Sequence, residues 1–337
     1  VSEAMHKLGI STTRALSAVE TEETVYREED YPGGILTRVA KSHLRVGTFE
    51  YAAQDIDKLK ELVDYAIKRH YPELNKVETP YFAFFQSVSK SFLSLVASWM
   101  RIGFIHGVMN TDNTSICGIT LDYGPCAFMD SYRKDKVFSS IDRNGRYRYS
   151  NQRQIALWNM SALASALYEL IKEELKLSEA DLKKRFIEEF NELEKLSKEA
   201  YLKEMGKKFG LTCIQEGDEE LIEEYLNYLE DHQLDFTNSF RALSNLESDN
   251  DSFLKKLIER LDKEDGGVEA AQKLMLSNNP YLIPRNHQVQ RAIDHVLKGD
   301  SSYMKHLVKA YERPYEEREE FRELAKAPEA DEIVSQT

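Results

Sequence analysis

The chain has 337 residues, 42% hydrophobic and 31% charged, which is room for one large domain or two lobes with a sizeable core and a soluble globular composition. A formal net charge of −13 is the wrong sign for a general nucleic-acid binder, and no apolar run reaches the ~18 residues of a membrane span. No signal-peptide pattern is visible at Val1, and Cys117, Cys126 and Cys213, with no CxxC spacing, read as small buried hydrophobes in a reducing compartment.

In chain order, "SEAMHKLG" predicts a short helix from Ser2 that stops at Gly9. "TTRALSAVET" and "VYREEDYPGGILTRVA" read as short β-runs with a turn at Pro32-Gly33-Gly34. Ile56, Leu59, Leu62, Val63 and Ile67 keep a helical period in "AQDIDKLKELVDYAIKRH". A strongly apolar helix follows from about Pro80 to Ile102, with Phe84, Phe85, Val88, Phe92, Leu95, Val96 and Trp99 as its core stripe. "TSICGITL" and "CAFMDSY" read as two strands on either side of the turn "DYGP". From about Asn151 the pattern is almost wholly helical, including one long charged helix, or a pair, in "SEADLKKRFIEEFNELEKLSKEAYLKEMGKKFG". The units expected are 1–75, a small mixed part, 76–150, a long helix followed by a loop and short strands, and 151–337, a helical extension.

The chemistry concentrates in "GFIHGVMNTDNTSICGITLDYGP", residues 103–125. Enzymes that handle ATP hold its phosphates through Mg²⁺ or a similar hard cation, which takes oxygen ligands. In kinase-like sites one ligand is an Asn closing the catalytic loop and the other an Asp opening a D-F-G-type turn. Asn113 and, nine residues on, Asp122 fit that pair. The usual loop H-x-D-x-x-x-x-N lays His106 and Asn113 in register but puts Val108 where the general base belongs, and valine cannot accept a proton. Asp112, one residue before the Asn, is a carboxylate able to serve as base or as a support of the metal ligands. His106 is expected to be structural, holding the loop and the Asp turn by hydrogen bonds, and Tyr123 to be a packing residue in the Phe position of the turn.

At these residues the chain resembles the selenoprotein O family, the YdiU-type pseudokinases. "HGVMNTDNTSICGITLDYGP" carries the resemblance, with "SEAMHKLGISTTRAL", "PGGILTRVAKSHLRVGTFEY", "GRYRYSNQRQIALWNMSALASAL", "DFTNSFRAL" and "NPYLIPRNHQVQRAI". It implies an α+β, protein-kinase-like two-lobed fold with a partial N-lobe and a large, mostly helical C-lobe. It further implies a protein adenylyltransferase that binds ATP in a flipped orientation and moves AMP to Ser, Thr or Tyr hydroxyls of protein substrates. By the resemblance Asp112 is the base, Asn113 and Asp122 hold Mg²⁺ or Mn²⁺, and Arg38 and Arg45 in "TRVAKSHLR" hold the reversed phosphates. The phosphate-contacting lysine and glycine loop are expected before residue 1, and the redox residue after Thr337, so the chain reads as a fragment. Glu3 lies on the helix type that bears the lysine's partner, although that partner is expected upstream, and Arg27 has no assigned role. The location implied is cytoplasmic or, in a eukaryote, mitochondrial. Two other readings stand beside this one: a non-catalytic nucleotide-binding scaffold, and a kinase-like phosphotransferase, against which Val108 argues.

Overall fold

The computed structural model describes residues 1–26 and 30–334. Helix α1, Ser2–Lys7, ends at Gly9, whose φ of +80° lies in the left-handed region that glycine enters without a Cβ clash. Strands β1, Arg14–Tyr26, and β2, Asp30–Val39, pair antiparallel from Arg14↔Val39 to Tyr26↔Asp30. Their connection, with Arg27, lies outside the described residues.

The turn expected at Pro32-Gly33-Gly34 is not there. Pro32 stands opposite Thr24 and Gly34 opposite Glu20, inside β2. Between those pairs residues 21–23 of β1 face Gly33 alone, which makes a bulge. A Cβ on Gly33 would come within 2.8 Å of both Glu23 O and Thr21 Oγ1, so glycine serves the bulge and not a reversal. Pro32 is tolerated because this sheet has two strands only and both are edges.

Helix α2, Val46–Ala52, lies where the sequence predicts no helix. It begins where the Thr48 hydroxyl accepts from Arg45 N at 3.3 Å. Helix α3, Ile56–His70, is capped by Asp55, which accepts from Lys58 N. Helix α4, Pro80–Arg101, buries the whole predicted aromatic and aliphatic stripe. Its first turn is capped from a distance: the Glu174 carboxylate accepts from Tyr81 N at 2.8 Å and Phe82 N at 2.9 Å.

Beyond α4 the two predicted strands around "DYGP" shrink. Strand β3, Phe104–Ile105, pairs antiparallel with β4, Ala127–Phe128. Residues 114–120 make only isolated bridges, Thr114↔Thr120 and Thr12↔Thr120 among them. Gly118, at φ +59°, packs beneath Ser91, where a Cβ would meet its Cβ and carbonyl at 2.9 Å. That reversal turns the segment back before a ladder can form.

The helical remainder is as expected from its period. Helix α5, Gln152–Leu175, lies on α2 and α4. The long charged stretch is one helix, α6, Glu179–Lys208, capped by Ser178. It is followed by α7, Asp218–Asp231, α8, Phe236–Ser244, α9, Asp251–Leu261, α10, Gly267–Asn278, α11, Asn286–Leu297, and α12, Ser302–Ala310. One core joins α2–α5 to the start of α6. A second, rich in aromatic edge contacts around Phe209, Tyr225, Phe236 and Phe240, joins the end of α6 to α7–α10. Burial of those rings is the main source of stability there. Arg285, 1% exposed, ties the start of α11 to the cap of α8 and to the segment after β4 by ion pairs to Asp235 at 2.8 Å and to Asp130. The protein is therefore mixed, mostly helical, with two small sheets. No helix among the described residues is long and apolar enough to cross a membrane.

Candidate active site

Asp112 and Asn113 sit in a single 3-10 turn, Thr111–Asn113, whose cap is the Asn110 side chain accepting from Asn113 N at 3.1 Å. The Thr114 hydroxyl donates back to Asn110 O at 3.0 Å. The turn is thus fixed at both ends before any tertiary contact is counted. The Asn113 amide donates from Nδ2 to Val108 O at 3.0 Å. Val108 therefore serves the loop through its carbonyl, and Asn113 Oδ1 is left as the free oxygen donor.

The bridge between Thr114 and Thr120 is antiparallel. The next positions outward are Asn113 and Leu121, so Asn113 and Asp122 leave the bridge at the same end. The loop and the turn also meet directly. Gly107, at φ +82°, lies so close to Pro125 that a Cβ would overlap the Pro125 carbonyl. Tyr123 is half-buried, its ring 6.0 Å from Phe104 and its hydroxyl bonded to Thr12. Burial pushes that phenol well up. Tyr123 is a packing residue as expected, and it also latches the turn to the segment before β1.

Arg38 reaches this turn from β2. It donates from Nη1 to Leu121 O at 2.5 Å and stands 3.5 Å from Asp122 Oδ1. Arg45 arrives by its backbone: it bridges Ser115, Val46 N donates to Thr114 O at 2.9 Å, and Ile116 N donates to Leu44 O at 3.3 Å. Its Nε is buried without a hydrogen-bond partner. Asp112, exposed, lays its Oδ1 against Gly47 in the first turn of α2. A side chain on Gly47 would move that carboxylate. All five residues singled out from sequence thus belong to one connected system of loops, with Arg38 and Asp122 in contact.

His106 differs from its expected role. It is 2% exposed, its ring 5.2 Å from that of Trp99 and 6.2 Å from Phe104. Neither ring nitrogen has a hydrogen-bond partner. Burial lowers its pKa to about 4, against a smaller opposing pull from the Asp122 carboxylate, so the ring is neutral at pH 7. It supports the loop by packing. The hydrogen bonds come from Gln152, which accepts from His106 N and donates to Phe104 O, both at 3.0 Å, and from Asn159, which donates to Met109 O at 2.9 Å. These two α5 amides were missed. Their available signal was two amides seven residues apart on an otherwise apolar helix face. Glu3 is engaged by Arg14, with oxygens 2.7 and 2.6 Å from Nε and Nη2.

Among the described residues no cluster of three His, Cys, Asp or Glu side chains could hold a cation alone. One carboxylate, Asp122, and one amide oxygen, Asn113, suit a hard divalent cation that takes its remaining ligands from phosphate and water. They do not suit a closed zinc site. The donor set fits Mg²⁺ or Mn²⁺. An apolar depression of about 740 Å³ between α1, α11 and α12 shares no residue with these loops.

Oxygen donors on a loop and a turn, an adjacent carboxylate, and one arginine, Arg38, on the same turn suit the handling of phosphate esters. Residues 1–312 match the family model described as protein adenylyltransferase SelO. Curated relatives named protein nucleotidyltransferase YdiU are similar throughout. That of Bacillus mycoides (strain KBAB4) is 46% identical over 332 residues, covering 94% of this chain and 66% of the relative. That of Bacillus cytotoxicus is 45% identical over 341 residues, 98% of this chain and 69% of the relative. That of Ruegeria sp. (strain TM1040) is 46% identical over 349 residues, 100% of this chain and 71% of the relative. The chain belongs to the SelO family, and it spans about two thirds of the length of these relatives.

Proposed function

We propose that the protein carrying this chain is a protein adenylyltransferase, moving AMP from ATP to a Ser, Thr or Tyr hydroxyl of a protein substrate within a kinase-like, two-lobed fold. Residues 1–75 contribute the N-lobe side of the site, 76–150 its loops and 151–337 the helical support. The observation that carries the reading is the contact of Arg38 with the Leu121–Asp122 turn, at the end of the bridge from which Asn113 also leaves. It sets a phosphate-binding cation beside the oxygen donors of a divalent metal.

In this reaction the acceptor oxygen attacks the α-phosphorus. The new P–O bond forms as the bond from the α-phosphorus to the bridging oxygen breaks, and pyrophosphate leaves with the electron pair. Asp112 takes the hydroxyl proton. Its place against Gly47 at the exposed rim supports that role, since an incoming protein side chain reaches it from solvent. Arg38 and Arg45 neutralise charge growing on the departing β- and γ-phosphates, the use to which planar guanidinium donors are best suited. Asn113 and Asp122 would hold Mg²⁺ or Mn²⁺, which when bound offsets phosphate charge. Val108 leaves no carboxylate at the usual kinase position, which favours this transfer over that of the γ-phosphoryl group. The three free thiols support a reducing compartment such as the cytoplasm.

The test is the mass of the adduct on protein after incubation of the whole protein with ATP and Mg²⁺ or Mn²⁺. An AMP adduct lost in Asp112→Ala, with nucleotide binding retained, is expected. A phosphate adduct, or an AMP adduct undiminished in Asp112→Ala, overturns the proposal. Nucleotide binding with no adduct of either kind leaves the scaffold reading.

A further inference from the structure

A groove runs away from Asp112 along the outer side of the α2–α5 pair. Two adjoining depressions of about 720 and 450 Å³ share Ala53, Ser165 and Ala166. Their floor is made of small side chains, and Trp158, 45% exposed, stands at the end nearer the loops. The helices that form its two walls both lead back to the candidate site. On α2, Gly47 touches Asp112, and Glu50 and Ala53 follow three and six residues later, ~4.5 and ~9 Å along the axis. On α5, Asn159 grips Met109 of the loop beside Trp158. From Trp158 to Lys176 the groove extends about 27 Å, the length of about eight residues of extended chain.

The charges on its rim are unevenly paired. Lys172 is engaged by Glu169 and Glu179, at 3.9 and 3.4 Å. Glu50, at the end near Asp112, has no ion pair among the described residues, and Glu173 at the far end has none either, next to Lys176. Trp158 already carries the Arg146 guanidinium on its ring, 4.5 Å from the centroid, so the attraction this end offers an incoming cationic side chain is the Glu50 carboxylate.

We infer that this groove binds the segment of the protein substrate that flanks the acceptor hydroxyl. The segment is extended, carries small side chains along the floor, and presents a Lys or Arg to Glu50. The ~4.5 Å along α2 from Gly47 to Glu50 places that basic residue one or two positions from the modified Ser, Thr or Tyr. The inference rests on protein adenylylation as the reaction but is read out separately from it.

The experiment uses the whole protein and fluorescein-labelled, alanine-based nonapeptides with one central serine and either lysine or glutamate two residues to each side. Binding is followed by anisotropy and AMP transfer by mass. The wild type is expected to bind the lysine peptide in preference to the glutamate peptide. Glu50→Lys should weaken the lysine peptide about tenfold and reverse the preference, as loss of a central contact of about 1.4 kcal/mol does. Trp158→Ala and the groove-filling Ser165→Trp should weaken both peptides, while ATP binding stays unchanged in all three variants. No peptide binding in the wild type, or a preference unaltered in Glu50→Lys, overturns the inference. So does a groove occupied by a second copy, seen as peptide binding that falls as protein concentration rises. Peptide preference without AMP transfer would instead defeat the adenylylation reading and leave the groove standing.

Discussion

Replacing His106 by Phe tests how the loop is held. The imidazole is 2% exposed between Trp99 and Phe104, with both nitrogens unpartnered, and its pKa lies at about 4 against 6.5 for the free side chain. The folded protein thus binds this proton less readily than the unfolded chain does. Between those two values the unfolded state takes up more protons, so stability is lost as pH falls from about 6.5 towards 4. At about 1.4 kcal/mol per pH unit the gap sets a ceiling of ~3 kcal/mol. Some ~2 kcal/mol of it is already lost at pH 4.5 relative to pH 7. Phe keeps the ring contacts and cannot be protonated. Denaturant unfolding of both proteins at pH 7 and 4.5 is the assay. Carboxylates contribute the same acid sensitivity to each, so the difference between the two proteins isolates the histidine. His106→Phe should be about as stable as wild type at pH 7 and more stable by about 2 kcal/mol at pH 4.5. An equal loss in both proteins would refute the assignment of a neutral, unbonded ring. A large loss at pH 7 would mean that the nitrogens make contacts that matter.

The remaining predictions concern the site and the second core. Arg38→Ala should weaken ATP about 10- to 100-fold, the worth of one charge-assisted hydrogen bond to phosphate, and leave adenosine unaffected in a calorimetric titration. Because its pair with Asp122 is half-exposed, its stability should change by less than ~1 kcal/mol. Equal affinity of the wild type for ATP and adenosine would dismiss the role. Asp122→Ala should abolish the thermal shift that ATP with Mn²⁺ produces while hardly changing the melting temperature of the free protein; an undiminished shift would move the metal elsewhere. Lys208, 1% exposed, bonds only Asn279 Oδ1 among the described residues, at 2.9 Å, above the rings of Phe240 and Phe236, and burial drives its pKa well down. Unfolding therefore takes up a proton below the ordinary lysine range, and stability should rise with pH towards 10.5. Lys208→Met should flatten that rise, and a slope equal to wild type in calorimetric scans would count against it.

The periodic part of the fold was legible because each helix writes its buried face every three or four residues. The α4 stripe from Phe84 to Trp99 and the whole region from α5 to α12 were read that way, while Asn113, Asp122 and Asp112 were picked out by motif spacing alone. Local signals failed where a distant partner decides. Pro32-Gly33-Gly34 has turn composition, yet pairing with residues 20–24 makes it strand, with Gly33 fitted to a bulge. The apolar run 114–121 has strand composition, yet Gly118 folds it under Ser91 and its hydrogen bonds go to residues 11–13 and 44–46. Phe104–Ile105 is too short to show a period and becomes strand through pairing with Ala127–Phe128. What the sequence by itself determined is the long helices, though not the seven-residue α2, and the identity of the polar residues in the loops, since both depend on near neighbours. Only the tertiary structure decided that Glu174 caps α4, that Gln152 and Asn159 hold the loop, and that Arg38 meets Asp122 across 84 positions of chain. Contacts of that separation are fixed by which faces pack together, and no local spacing records them.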